Sequence, residues 1–528
     1  MSKRQTFVRE ATGLTKELSL FDAIVFNLCV TAPGFGILLY TFYGPVSFPG
    51  VNLVYALLLA TPFMLLHAVV SGQMMAAMPR SGFDYVFVSR VTHPVIGFAN
   101  SFVFYVFQAL FLGVFFVLMN SFISNFFSSL ALISGNSSYG DIASVLLEPT
   151  WVIIVGTILL IAITGIMLLG MRIGKKVLLI TQLIGWIGLV TVLVLMAGSN
   201  QQAFASAWNN YFGSQVMYSS ALTSAQAAGL SYLPAGDASA LVGAALYSVF
   251  VVLGYQSIGY LGGEVKHGQI NIIRSMVISL LFTVFVLAVA TVIITNTVGY
   301  DFLVSAAYLN SVGKLSVSLY YTLISTILYP NALLATVVFI GLFMWTFVEI
   351  ISICLNLTRA NFAWAFDGVI PACFASVSDR FSSPTWSVIT IGVLMEVGIL
   401  VSLYTQAGVL INLALILIAV YSVSTLSATL FPYLKPELFK NAPKVANYKI
   451  GDKIPLITVT GALTTGFFWA VIYEMTVNTA IAGAITPLSA GAMIGVAILA
   501  AVIYFAARAY RKSRGLDLDF TFKEIPPE

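Results

Sequence analysis

Residues 31–36 of the chain read Thr-Ala-Pro-Gly-Phe-Gly, and this stretch interrupts an apolar segment long enough to cross a membrane. A second interruption, Gly-Tyr-Gln-Ser-Ile-Gly at residues 254–259, falls inside another such segment. Proline and glycine at mid-bilayer depth leave backbone N–H and C=O groups without helical partners, and hydrocarbon tolerates this only where those groups line a protein cavity. A pair of such breaks in the two halves of one chain indicates the buried solute site of a transporter.

The composition places the whole chain in a membrane. Of its 528 residues 59% are hydrophobic and only 8% are charged, whereas about 25% are charged in a typical soluble domain. At about 20 apolar residues per helical crossing, the sequence predicts an all-α membrane protein with twelve transmembrane helices. These spans are predicted near residues 18–43, 50–78, 95–128, 150–170, 177–198, 239–263, 273–298, 331–357, 385–405, 408–433, 454–476 and 487–509.

The basic residues predict the orientation of the chain. With these twelve predicted spans, every lysine and arginine except Lys314 falls on one side of the membrane. Because short cytoplasmic loops are enriched in these residues, we expect a multi-pass protein of the cell membrane with both termini in the cytoplasm. The basic clusters are thus interpreted as orientation signals with a weak attraction to membrane lipid, and no nucleic-acid partner is expected.

The spacing of the two breaks predicts an internal repeat. They fall in spans 1 and 6, and because five is odd, a repeat of five helices must re-enter the membrane upside down. The expected fold is a five-plus-five inverted repeat with two extra C-terminal helices. Its predicted parts are an N-terminal tail (1–17), a first repeat (18–198), an outer loop (199–238), a second repeat (239–433), a basic loop (434–453), two further spans (454–509) and a C-terminal tail (510–528).

At this point the chain resembles the amino acid–polyamine–organocation permeases over roughly residues 18–430. The segments that carry the resemblance are Thr31-Ala-Pro-Gly-Phe-Gly36, Met78-Pro-Arg-Ser-Gly-Phe-Asp-Tyr-Val-Phe-Val-Ser-Arg90, Gly254-Tyr-Gln with Gly263-Glu-Val-Lys266, and the region from Arg359 to Asp367-Gly368. The loop at residues 78–90 is the most specific of them. The resemblance implies a LeuT-like fold and secondary active transport of an amino acid, by symport or antiport with alternating access.

An opened helix can hold a zwitterion without any charged side chain. The free N–H groups of the half that begins suit a carboxylate, and the free carbonyls of the half that ends suit an ammonium group. The resemblance implies that the carboxylate meets the backbone of residues 34–36 and that the amine meets carbonyls near residues 29–32 and 252–254. The substrate-binding set that it implies is Thr31, Ala32, Pro33, Gly34, Phe35, Gly36, Val252, Gly254, Tyr255, Gln256, Tyr105, Gln108 and Trp345.

Charged residues inside the spans are the candidates for coupling and gating, because each is costly in lipid unless paired, hydrated or neutralised. The resemblance implies that Glu349, counted back from Asp367-Gly368, lies near the level where related permeases have a small hydroxyl residue facing the open part of span 1. There it would bind sodium together with backbone near Val30 and Pro33, or carry a proton; a structural hydrogen bond is the alternative.

Two further sets of charges are assigned to the cytoplasmic end. Asp22 is expected to close that side by pairing with a basic loop residue. Glu264 and Lys266 are expected to act in gating, with a salt bridge at the helix end as the alternative.

Several alternatives stay open. Many related permeases have an acidic residue where this chain has Gln256, and span 5 lacks the lysine of some proton-coupled members, so the coupling ion is undetermined. A polyamine or other organic-cation transporter and a non-transporting amino acid sensor remain alternatives. No enzymatic activity and no cofactor beyond a coupling sodium ion or proton are expected. The particular substrate, homodimer formation and glycosylation of Asn136 are not determined by the sequence.

Overall fold

The computed structural model describes residues 16–232, 237–376, 384–404, 413–477, 485–515 and 517–523. Within these residues twelve helices are long and apolar enough to cross a membrane, which confirms the predicted fold class and number of spans. Residues 405–412, which include parts of predicted spans 9 and 10, lie outside the described residues. Spans 1 to 12 cover Leu20–Ser47, Leu53–Ala77, Pro94–Ser134, Pro149–Leu168, Ile173–Ala197, Ala240–Glu264, Gly268–Val298, Ala332–Phe366, Thr385–Tyr404, Leu415–Leu434, Leu456–Val477 and Pro487–Ser513.

Short elements connect the spans. Asn136 lies at the start of one of them, where its side chain caps the helix Ser137–Leu146 and is exposed, and its glycosylation stays a prediction. The connecting α-helices are Asp84–Val91, Ser137–Leu146, Gln201–Phe212, Ala221–Ala227, Tyr300–Ser311, Tyr321–Leu328, Pro436–Lys440, Lys444–Asn447 and Leu518–Thr521; the 3₁₀-helices are Tyr218–Ser220 and Ala372–Phe374; and the strands Lys449–Ile450 and Ile454–Pro455 form an antiparallel pair.

Span 1 is broken at the predicted place. Its first helix, Leu20–Thr31, begins with a capping box between Ser19 and Asp22 and ends at Ala32, whose φ of 36° and ψ of 67° are left-handed. Pro33 cannot continue the first helix because it lacks an N–H group, and it suits the first position of a new one. The second half runs as the α-helix Pro33–Leu38, the π-helix Leu39–Tyr43 and the α-helix Gly44–Ser47.

Span 6 is broken at the matching level. Its helix Ala238–Val252 is followed by a turn and by the 3₁₀-helix Ser257–Glu264. Gly254 in the turn has a φ of +123°, and a Cβ atom there would lie 2.8 Å from the backbone nitrogen of Thr31. The two breaks therefore touch each other through their main chains.

The remaining spans form the frame around these two. Span 5 meets span 8 where Gly188 and Gly341 allow their backbones to touch, and span 3 meets span 9 in the same way at Gly113 and Gly398. Small residues of this kind let membrane helices approach closely, which is the main source of their packing energy. The inverted relation of the two halves and the domain boundaries stay predictions.

One side of the bundle carries both described ends of the chain, residues 16–19 and 511–523, and is called the terminal side. Arg90 and Asp367 form a bidentate ion pair there, in which the two guanidinium nitrogens lie 2.7 and 2.8 Å from the two carboxylate oxygens. The side chains are 3% and 1% exposed. Burial alone would raise the pKa of Asp367, but the Arg90 guanidinium outweighs it and holds that pKa below its ordinary value. The ring of Phe522 covers the guanidinium at 5.1 Å, so the C-terminal segment shields the pair.

We expect Arg90→Met to lower the free energy of unfolding by about 3–5 kcal/mol, because it removes the cation that pairs directly with the buried Asp367 carboxylate. Chemical or thermal unfolding in detergent measures this change. Lys175→Met is the matched control, because the pair of Lys175 with Asp22 has side chains 55% and 24% exposed and such pairs contribute about 0–1 kcal/mol. The double variant Arg90→Met with Asp367→Leu should regain most of the loss, and equal effects of Arg90→Met and Lys175→Met would contradict the assignment.

Candidate substrate and ion site

A cavity of about 70 Å³ lies where the broken parts of spans 1 and 6 face spans 3, 8 and 10. It has room for a few water molecules. Its polar side chains come from all five spans and are those of Thr31, Gln108, Gln256, Ser257, Glu349, Asn356 and Tyr421. Its apolar walls are Val30, Phe35, Gly36, Leu39, Phe104, Phe111, Phe115, Phe250, Val251, Leu253, Gly254, Ile353, Leu413 and Leu417.

The break in span 1 presents backbone groups of both kinds at this cavity. Ala32 N–H donates to the carbonyl of Leu28 and Gly36 N–H to the carbonyl of Ala32, but no hydrogen-bond acceptor among the described residues contacts the amides of Gly34 and Phe35. These amides begin a helical segment and so carry the positive end of its dipole. The break can therefore accept an anion at residues 34 and 35, while Gly36 contributes wall surface.

The break in span 6 is held open by its own side chains. Gln256 accepts a hydrogen bond from Gly254 N–H at 3.0 Å and donates one to the Tyr421 hydroxyl at 2.7 Å. Below it, the Ile258 amide donates to the side-chain oxygen of Asn27 in span 1 at 2.9 Å. These bonds replace helical ones, so the unwound segment is a defined structure rather than a loosened helix.

Glu349 is the only charged residue among the described residues that line the cavity. One of its carboxylate oxygens, Oε2, is fully buried and has no hydrogen-bond partner within the described part of the chain. An ionised carboxylate in such a place requires a cation nearby, and otherwise it carries a proton. Of the residues predicted to share a sodium site with it, Val30 lines the same cavity and Pro33 does not.

Three aromatic residues of the predicted substrate set lie away from the cavity. Tyr105 accepts a hydrogen bond from Asn361 at 2.9 Å, and Tyr255 bonds to His67 of span 2 at 2.6 Å. Trp345 packs over Gly34, where its indole leaves no room for a side chain. Ala32, Pro33, Gly34 and Val252 lie in the breaks but are not in the cavity wall, whereas Thr31, Phe35, Gly36, Gly254, Gln256 and Gln108 are.

The charged residues assigned to gating lie on the terminal side. Asp22 pairs with Lys175 at the start of span 5 at 2.9 Å. Glu264 pairs with Arg359 of span 8 at 2.8 Å, not with Lys266, which is exposed and whose amide donates to the carbonyl of Leu18. These contacts tie the ends of spans 1 and 6 to spans 5 and 8 and to the segment before span 1.

Sequence reasoning missed most of the aromatic wall and all of span 10. Gln108 shares one face of span 3, at helical spacing, with Phe104 before it and with Phe111 and Phe115 after it. The position of Gln108 could therefore have identified these three residues. Tyr421 had no comparable signal, because nothing in the sequence places that residue beside the break in span 6.

The broken spans and the cavity between them define a multi-pass membrane transporter. The family model described as Amino acid permease matches residues 24–518. The chain belongs to the amino acid permease family, which confirms the resemblance seen in its sequence, and it is an amino acid transporter in the broad sense that this family defines. Members of the family are transporters rather than enzymes. No individual curated protein matches the chain.

We expect Gly254→Ala to abolish substrate binding and to destabilise the protein. An alanine there would be strained at a φ of +123° and would press on the backbone of span 1. Gly392→Ala in span 9 is the matched control, because its Cβ would lie 3.4 Å from Thr164, an ordinary contact, and Gly392 does not line the cavity. Ligand-induced thermal stabilisation of the two variants measures the difference, and normal binding by Gly254→Ala would show that the touching backbones are not needed.

Proposed function

We propose that the chain is a secondary active transporter that carries an amino acid across the cell membrane by alternating access. The observation that carries the proposal is the cavity between two broken spans, whose wall includes the buried Glu349 carboxylate and Phe35, the residue beside Gly34 at the start of the second half of span 1. The distribution of basic residues supports placing the terminal side, and with it both termini, in the cytoplasm.

The substrate in this proposal is held mainly by main-chain groups. Its carboxylate lies at the amides of Gly34 and Phe35, and its ammonium group lies at carbonyls of residues 30–31 and 253. Hydrogen bonds to charged groups contribute about 1.5–3 kcal/mol each, so four of them supply about 6–12 kcal/mol. Micromolar binding needs about 8 kcal/mol beyond an immobilisation cost of at least about 4 kcal/mol, so apolar contacts must add to the main-chain bonds. The phenylalanine wall then receives an apolar part of the substrate side chain.

Movement in this proposal separates two groups of spans. Spans 1, 2, 6 and 7 rock against the frame of spans 3, 4, 8 and 9. On the terminal side the ion pair Glu264–Arg359 joins the two groups, and the pair Asp22–Lys175 joins span 1 of the moving group to span 5, so opening towards the cytoplasm breaks both. The Asp22–Lys175 pair is exposed, so water replaces that contact at modest cost. The Glu264–Arg359 pair is nearly buried, so its separation requires water to enter between spans 6 and 8.

Glu349 supplies the coupling in this proposal. It binds a sodium ion together with carbonyls of span 1, or it takes up a proton, and in either case its negative charge is compensated while substrate is bound. A polyamine, which carries several positive charges, is matched less well by a cavity with a single carboxylate among its described lining residues.

The proposed function is tested with purified protein in two steps. Thermal-shift screening against the standard amino acids and small amines, with and without sodium at two pH values, identifies the ligand. Counterflow in proteoliposomes then distinguishes a carrier from a sensor or a channel, because only a carrier concentrates labelled substrate against an unlabelled internal pool. Ligand binding without counterflow would favour the sensor, and non-saturable flux would favour the channel.

We expect Glu349→Gln to keep counterflow but to lose uptake driven by a sodium or proton gradient, since the amide preserves the shape and removes the charge. Initial uptake rates with each gradient imposed in turn measure the coupling. Glu396→Gln is the matched control: Glu396 is also a carboxylate inside a span, but it bonds to Thr157 at 2.9 Å and does not line the cavity. Gradient-driven uptake by Glu349→Gln equal to that of the parent would contradict the coupling role.

A further inference from the structure

A second unpaired carboxylate lies outside the cavity, on the terminal side. Asp84 is the first residue of the loop helix Asp84–Val91 between spans 2 and 3, and it is 0% exposed. Its carboxylate receives hydrogen bonds from the Tyr85 amide at 3.0 Å and from Asn100 of span 3 at 3.1 Å. It also contacts the hydroxyl of Ser424 in span 10 at 3.3 Å. Asp84 thus joins the loop to two spans.

Asp84 has no basic partner in the part of the chain that the structure describes. The other buried carboxylates of the terminal side do: Asp367 pairs with Arg90 and Glu264 pairs with Arg359. The titratable groups that face the Asp84 carboxylate are the phenols of Tyr260 in span 6 and Tyr421 in span 10. None of these supplies a positive charge.

The hydrogen bonds of Ser424 indicate which form of Asp84 fits. Ser424 Oγ lies 3.1 Å from the carbonyl of Val420 and 3.3 Å from Asp84 Oδ2. A hydroxyl has one hydrogen to donate, so an ionised Asp84 would have to share that hydrogen with the Val420 carbonyl. Each contact is a full hydrogen bond when Asp84 itself carries a proton and donates it to Ser424 Oγ. Burial acts in the same direction: it raises the pKa of Asp84 to about 7, although the donors around the carboxylate lower it.

The loop that carries Asp84 is fastened to the broken half of span 6. Gly82 N–H donates to the carbonyl of Tyr260 at 3.2 Å, and the ring of Phe83 fills the space left by the missing side chain of Gly259. Displacement of the end of span 6 therefore disturbs the packing around Asp84. Water would then reach the carboxylate, and its pKa would return towards the ordinary value of about 3.9.

We propose that Asp84 is a proton-binding site that holds the loop, span 3 and span 10 together on the terminal side while it is protonated, and that opening of this side releases its proton. The proposal rests on the proposed transport function for its consequence, because the released proton enters the compartment into which the substrate leaves.

The sign of the pH effect follows from this arrangement. The closed form binds the proton more tightly than the open form, so protonation stabilises closure below pH 7 and this stabilisation is lost as the pH rises through about 7. If the open form has an ordinary carboxyl group, the equilibrium between closed and open forms shifts towards opening by about twentyfold between pH 5.5 and 7.5.

Infrared titration of purified protein tests the site without relying on transport. We expect the carbonyl stretch of one protonated carboxyl group to disappear between about pH 6 and 8 in the parent protein and in Glu349→Gln. This titrating component should be missing from Asp84→Asn. Asn100→Ala should move the midpoint to higher pH, because it removes a donor that favours the charged form. A parent spectrum without such a titration, or an Asp84→Asn spectrum that retains it, would overturn the assignment.

Counterflow tests the consequence of the site for transport. With the pH on the terminal side varied from 5.5 to 7.5, counterflow by the parent should rise by up to about twentyfold, and counterflow by Asp84→Asn should not depend on this pH. The same pH dependence in both proteins would contradict the link between Asp84 and opening. Absence of counterflow from the parent at every pH would instead contradict the proposed function, and the infrared result would still decide on the proton site.

Discussion

The structure depends on one constraint: backbone hydrogen-bonding groups that are freed inside a membrane must find partners within the protein or face a cavity. Ala32 and Pro33 free the groups of span 1, and Gly254 frees those of span 6. The two breaks differ in how their freed backbone groups are satisfied. In span 6, the side chains of Gln256 and Asn27 accept hydrogen bonds from the amides of Gly254 and Ile258. In span 1, the amides of Gly34 and Phe35 have no acceptors among the described residues. The asymmetry gives the cavity one side that is already satisfied and one side that can bind an anion.

Features set by local chemistry were predictable from the sequence. The twelve spans follow from apolar length, and the break in span 1 follows from a proline that cannot continue a helix, so both are found where the sequence predicts them. Glu349 was identifiable as a member of the cavity because it is a carboxylate inside a span and because its distance from Asp367-Gly368 matches, by the family resemblance, the level of the opened part of span 1. Its residue type alone was not enough, since Glu396 is also a carboxylate inside a span and does not line the cavity.

The side chains that complete the site could not be predicted in this way. Tyr105 and Gln108 are three positions apart on span 3, yet only Gln108 lines the cavity, while Tyr105 bonds to Asn361. Their difference depends on the rotation of span 3 about its own axis, which is set by contacts such as that of Gly113 with Gly398 of span 9. The pairing of Glu264 with Arg359 instead of Lys266 has the same origin, because the choice depends on where span 8 lies. The rotation of each span and the distances between spans are set by tertiary packing, so they could not be predicted from a single sequence.

The charges of the terminal side differ in how far they depend on the conformation. The Arg90–Asp367 pair is buried and joins the loop helix to the end of span 8, so it persists as long as that part of the frame does. The Asp22 and Glu264 pairs join the moving spans 1 and 6 to spans 5 and 8 and are more exposed than the Arg90 pair, so water can replace them when those spans separate. Asp84 is buried like the first kind but unpaired, and its environment includes the loop attached to span 6. In the closed packing Asp84 is stable only in its neutral form. Its protonation therefore depends on both the conformation and the pH. The terminal side thus has a persistent ion pair, Arg90–Asp367, two ion pairs that water can replace, and one carboxyl group, Asp84, that can bind and release a proton. Of these, only Asp84 links the conformation of the protein to a proton gradient.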